Sequence, residues 1–195
     1  MFIELTDHLR CPADHAEQYL VLLPDRIVER SVLAGRLGCP VCGRTYAVTD
    51  GVAELGGPPP RPSTGGALAP AAMHVLLGLG GPGGYAALVG SAAESWQGLS
   101  EALGGVALVA VNPPVGIDDA APALSVVRAP LIPLKSRSLR GVVLGSEVST
   151  DPLWVREAAR TTLPGLRVVG QGPEPSLSEL ELLASADGHW VAARR

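Results

Sequence analysis

The chain has 195 residues, enough for one ordinary domain plus a small one, and its 24 Gly, 18 Pro and single Phe are the usage of a GC-rich bacterial gene. A net charge of −4 with no run of Lys or Arg leaves no electrostatic footprint for nucleic acid. No basic segment leads into an apolar one at the start and no apolar run reaches about 18 residues, so the sequence predicts a cytosolic protein with neither export signal nor membrane span, and its three cysteines suit a reducing compartment.

In chain order, the first chemistry is Cys11-Pro-Ala-Asp-His15, a thiol and an imidazole four residues apart. Residues 20–23 and 26–32 read as short strands turned at Pro24-Asp25, the second alternatively as a short helix. Cys39-Pro-Val-Cys42 follows, a knuckle in which Pro40 fixes φ and Gly43 gives the backbone room to fold round an ion, and an alternating strand then runs into an Asp50-Gly51 turn. Cys11, His15, Cys39 and Cys42 together make a three-thiolate, one-imidazole shell of the kind zinc takes in structural sites. Four protein donors leave no open position, so such a metal is architectural; His8 and Asp14 are rival fourth ligands.

The order Leu5-Thr-Asp-His-Leu-Arg-Cys11-Pro, then Gly35-x-Leu-x-Cys39-Pro-x-Cys42-Gly-Arg-x-Tyr46-x-Val48-x-Asp50-Gly51-Val52, resembles the small zinc-binding activator subunit of tRNA, rRNA and release-factor methyltransferases. The resemblance covers residues 1–55 and implies a zinc-ribbon-like helper module that lends apolar surface to a catalytic protein partner, in methylation or translation. It departs from the family where Cys11-x-x-x-His15 replaces a usual Cys-x-x-Cys and Ala47 a usual Pro.

Residues 56–69, opening Gly-Gly-Pro-Pro-Pro-Arg-Pro, resist both helix and strand and form a linker or a crossing segment. Beyond it, 70–195 reads as a second domain. Residues 74–80 are predicted as a first buried strand, 84–103 as helical, 106–111 as a second strand, 123–127 as a third, 141–144 as a fourth, 152–163 as a helix and 166–169 as a fifth strand. Residues 180–185 and 189–194 flank Ala186-Asp187-Gly188 as a hairpin. The continuous apolar runs predict an α/β domain, a doubly wound, Rossmann-like parallel sheet with an antiparallel C-terminal edge.

On that reading Gly78, Gly80, Gly81 and Gly83 form a glycine loop after the first strand, where backbone amides can approach a ligand, and Asn112 ends the second strand. Residues 157–169, with a Pro164-Gly165 turn, and the segment 127–134 resemble class I S-adenosylmethionine-dependent methyltransferases. Where that family carries acids, this chain has Leu77 before the loop, Asn112 at the second strand end and no carboxylate near 128–130. The resemblance therefore implies a methyltransferase-like protein with a fused zinc-binding activator-type domain, weakly binding or not binding S-adenosylmethionine, inactive or weak, and acting in assembly or regulation. The alternative is an active S-adenosylmethionine-dependent methyltransferase with an atypical cofactor site. Ser146 and Glu147 lack a neighbouring His and read as a solvated strand end, and Trp96, Trp154 and Trp190 as packing anchors.

Overall fold

The computed structural model describes residues 1–63 and 65–195; Thr64, within the 56–69 segment, lies outside them. The described residues build one mixed parallel and antiparallel sheet of eleven strands in the order β1-β2-β3-β4-β7-β6-β5-β8-β9-β11-β10. Strands β1 (Val21–Val28), β2 (Ser31–Gly38), β3 (Thr45–Thr49) and β4 (Val52–Glu54) form an antiparallel meander. Five parallel strands follow: β5 (Tyr85–Val89), β6 (Ala107–Val111), β7 (Leu124–Arg128), β8 (Leu139–Leu144) and β9 (Thr162–Gln171). Numbered from β5, they lie third, second, first, fourth and fifth, which is the doubly wound order. The hairpin of β10 (Leu180–Ala186) and β11 (His189–Arg194) closes that side, β11 lying antiparallel to β9.

The meander and the parallel sheet join directly, because β4 pairs in parallel with β7 at Ala53 with Val127 and Glu54 with Arg128. The joint carries its own ion pair, Arg128 with Glu54. Alternation along β5 shows why both faces must be covered. Tyr85, Ala87 and Val89 enter one cluster, Ala86 and Leu88 the other, and all five residues are buried. Helices α1 (Pro70–Leu77) and α2 (Trp96–Leu103) cover the Leu88 face with Met73, Leu77, Leu99 and Leu103. The other face is covered by α3 (Pro152–Thr161) through Val155, Ala158 and Ala159, and by the N-terminal segment through Met1, Leu5 and Leu9.

Three predicted elements are corrected. Residues 20–23 and 26–32 are not two segments turned at Pro24-Asp25: β1 runs through that point with only a register shift, and the turn lies at Glu29-Arg30. Residues 70–77 are a helix and not the start of a strand: Pro70 stands at its first turn and Gly78, at φ 60°, caps its end in the left-handed region. A short apolar run such as Val75-Leu76-Leu77 cannot by itself distinguish the two structures. The first parallel strand is Tyr85–Val89, inside the stretch expected to be helical, and only 96–103 of that stretch is α-helix. The elements at 107–111, 124–128 and 139–144 and the hairpin fall close to where the sequence puts them; α3 ends at Thr161, and β9 starts at Thr162 and runs through the Pro164-Gly165 expected as a turn. Helix α3 starts on its sequence signal, Asp151 accepting from the Leu153 amide at 2.8 Å with Pro152 next. No helix among the described residues is long and apolar enough to cross a membrane.

Candidate functional site

The knuckle after β2 is shaped by its own backbone. Cys39 N–H donates to Arg44 O at 2.9 Å, Gly43 N–H donates to Cys39 O at 3.0 Å, and Gly43 takes φ 70°, which a side chain would resist. The 11–15 segment is brought to it by pairing outside the meander: Cys11 N–H donates to Gln18 O at 2.8 Å and Arg10 N–H to Pro133 O at 2.9 Å. The result places one donor atom each from Cys11, His15, Cys39 and Cys42 within 4.8 Å of one another. Neither rival ligand joins them. His8 instead meets the Tyr85 ring edge-on at 5.0 Å, and Asp14 is exposed.

Two of the spacings match the edge of a metal shell. Cys11 Sγ lies 3.8 Å from Cys42 Sγ, and Cys39 Sγ lies 3.5 Å from His15 Nε2. A tetrahedron with zinc–sulfur bonds of about 2.3 Å has edges of about 3.8 Å, slightly shorter where nitrogen replaces sulfur. His15 Nδ1 is 2.7 Å from Ala16 O, a carbonyl that only accepts, so Nδ1 carries a proton and the neutral ring turns its Nε2 lone pair to the cluster; that hydrogen bond, and then one with Cys42, raises the imidazole pKa. Burial pushes the Cys39 thiol up, but hydrogen bonds from the backbone of Cys42 and Val41 and the side chains of Cys42 and Cys11 outweigh it and bring its pKa to about 6. Neutral pH therefore favours the thiolate, the ligating form. The Tyr46 hydroxyl stands 3.4 Å from Cys11 Sγ, and burial followed by that sulfur pushes its pKa to about 12, so it keeps its proton beside that sulfur.

The predicted glycine loop lies at the wrong end of the sheet for a ligand. Gly78, Gly80, Gly81 and Gly83 connect α1 to the amino end of β5. The loop turns carbonyls inward: Arg140 donates to Gly80 O at 2.6 Å, Gly81 O at 2.9 Å, Pro82 O at 3.2 Å and Gly83 O at 2.7 Å. A ring of acceptors round a guanidinium is the reverse of a phosphate cradle, which needs N–H groups. The glycine that does follow the first parallel strand is Gly90, at φ 61°.

A cleft of about 260 Å³ lies at the carboxyl ends of the parallel strands, the switch-point position for ligands in doubly wound sheets. Its walls are Val89, Gly90 and Ser91 after β5, Asn112 to Pro114 after β6, Arg128 of β7, and Glu147, Val148 and Trp154 beyond β8. Pro58 to Pro62 roof it, pinned where Val115 N–H donates to Arg61 O at 2.9 Å. Gly57 lets the roof cross, because a Cβ there would collide with the backbone of Arg128 and Ala129.

Asn112 is therefore at the cleft, at φ 51°, but its amide is already used. Nδ2 donates to Ala129 O at 2.7 Å and Oδ1 accepts from Ala129 N–H at 2.9 Å, so the side chain extends the β6–β7 ladder as a substitute peptide. Glu147 is the one acid lining the cleft among the described residues. In the sequence it reads as a solvated strand end, since its partner Ser91 lies 56 residues away and no spacing rule connects them.

No family model and no curated protein matches the chain. Among solved structures, two crystal structures of the antibiotic-resistance methyltransferase Kmr align with 69% of this chain and with 97% and 98% of theirs, at 12% identity and TM-scores of 0.43 and 0.45. Likeness at that level carries nothing about chemistry.

Proposed function

We propose that this chain is a methyltransferase-like protein in which a metal-binding module is fused to a doubly wound domain whose cofactor cleft is catalytically silent or weak, and that it serves assembly or regulation. Cys11, His15, Cys39 and Cys42 hold a structural zinc, which supplies cross-linking of the 11–15 segment to the knuckle and no chemistry, since all four positions are protein-supplied. The observation that carries the reading is Asn112. At the tip of the second parallel strand a ribose diol needs a charged acceptor, and this amide gives both of its groups to Ala129. Arg128 adds a cation paired to Glu54, where an adenine amine needs an acceptor. The cleft volume is also below the roughly 300–1,000 Å³ usual for ligand sites.

Calorimetric titration of the full chain with S-adenosylmethionine and S-adenosylhomocysteine tests the reading. Loss of several hydrogen bonds at about 1 kcal/mol each moves a micromolar site toward the millimolar range, so dissociation constants near millimolar are expected. Cofactor carried through purification, or a low-micromolar constant, overturns it and leaves an active methyltransferase as the reading.

A further inference from the structure

Two glycines meet at the switch point, Gly90 after β5 and Gly145 after β8, tied by Gly145 N–H donating to Val89 O at 2.9 Å. A Cβ on Gly90 would overlap the Glu147 carboxylate, and one on Gly145 would run into Ser91 Oγ and Glu147 Oε2. Glycine at both places leaves a space the size of a carboxylate. Its donors come from Ser91, which is 2% exposed: the amide donates to Glu147 Oε1 at 2.6 Å and the hydroxyl to Oε2 at 2.7 Å. Each buried donor has Glu147 as its partner, and each would be left unpaired if that side chain left without replacement. Glu147 itself is exposed and sits in the turn at 146–150, so rotation of its side chain into solvent requires no change in helix or strand.

We propose that this cradle is a carboxylate-binding site whose resident occupant is Glu147, and that an external carboxylate enters the cleft by displacing that side chain. The inference rests on the reading of the switch-point cleft as the ligand site, and needs no particular cofactor. An internal ligand lowers apparent affinity by the fraction of time the cradle is open, so removing it raises affinity by the inverse of that fraction.

The test follows the Ser91 amide by NMR while sodium acetate is added to the full chain, with sodium chloride as the ionic-strength control. Glu147→Ala is expected to show a saturable, acetate-specific shift at a concentration about tenfold or more below any wild-type response. Glu147→Asp, whose shorter side chain cannot hold both donors, replaces it if the alanine variant does not fold and is expected to respond in the same direction. Equal midpoints in wild type and variant, or a folded variant with no saturable response, overturn the proposal. S-adenosylhomocysteine, run as a second ligand, distinguishes an amino-acid carboxylate from a free one. Its result bears on the methyltransferase-like reading, while the acetate arm alone decides the cradle.

Discussion

At the scale of single residues, the two centres differ in how far chemistry shows through sequence. Cysteine and histidine at short spacings declare themselves as ligands because few other tasks use them that way, and the fold brings the four donor atoms within 4.8 Å. Purified chain is therefore expected to carry about one zinc, and Cys39→Ser to lose it with a stability loss of about 3 kcal/mol or more, read by elemental analysis and urea unfolding. Stoichiometric absence of metal from freshly purified, reduced protein would remove the centre. Asn112 shows the opposite case, a residue whose place at a strand tip was legible and whose use was not. Because its amide replaces a peptide between β6 and β7, Asn112→Ala is expected to cost about 2 kcal/mol in urea unfolding while leaving S-adenosylmethionine affinity unchanged. A large affinity loss without a stability loss would return Asn112 to a ligand-binding role.

At the scale of elements, α3 is held to Glu17 and to the 132–136 segment by one guanidinium. Arg160 makes six hydrogen bonds: to both Glu157 oxygens at 2.7 and 2.8 Å, to Glu17 at 3.0 Å, to Ser136 at 3.1 Å, and to the carbonyls of Ile132 and Leu134 at 3.1 and 2.8 Å. Arg10 adds a second cation on Glu157 at 2.8 Å. The Arg160 side chain is 21% exposed, so solvent screens part of this network. Arg160→Met is expected to destabilise by about 2–3 kcal/mol, with hydrogen exchange rising first in 132–136 and in the last turn of α3; unchanged exchange there would show that the network is ornamental to packing. Elements were legible where one period dominated: β6 and β7 are short, largely buried runs, and α3 announces itself through Asp151-Pro152, whereas β9 shows only over 166–169 because the Pro164-Gly165 inside it reads as a turn. The stretch 70–103 was not, because the same apolar character serves α1, buried on one side, and β5, buried on both. Pro70 and Gly78 held the helix signal, and an apolar run of ambiguous period concealed it.

At the scale of the whole molecule, the sheet does not stop between the N-terminal meander and the parallel strands. Ala53 and Glu54 pair with Val127 and Arg128, and one apolar cluster runs from Leu5, Leu37 and Cys39 to Val109, Val127 and Val155. The chain is therefore expected to unfold in urea as a single transition, with tryptophan fluorescence and N-terminal amide signals sharing one midpoint; two separated midpoints would divide it into independent units. The 70–195 fragment alone is expected to associate, since it bares the β7 edge and the face under Met1, Leu5 and Leu9. The β4–β7 joint also changes the bookkeeping of assembly. A joint between two polypeptides has a dissociation constant, so its occupancy falls on dilution and depends on matched synthesis of both partners. Tied within one chain, the same ladder is formed at a fixed one-to-one ratio that neither dilution nor unequal expression can disturb, and it needs no meander supplied from solution.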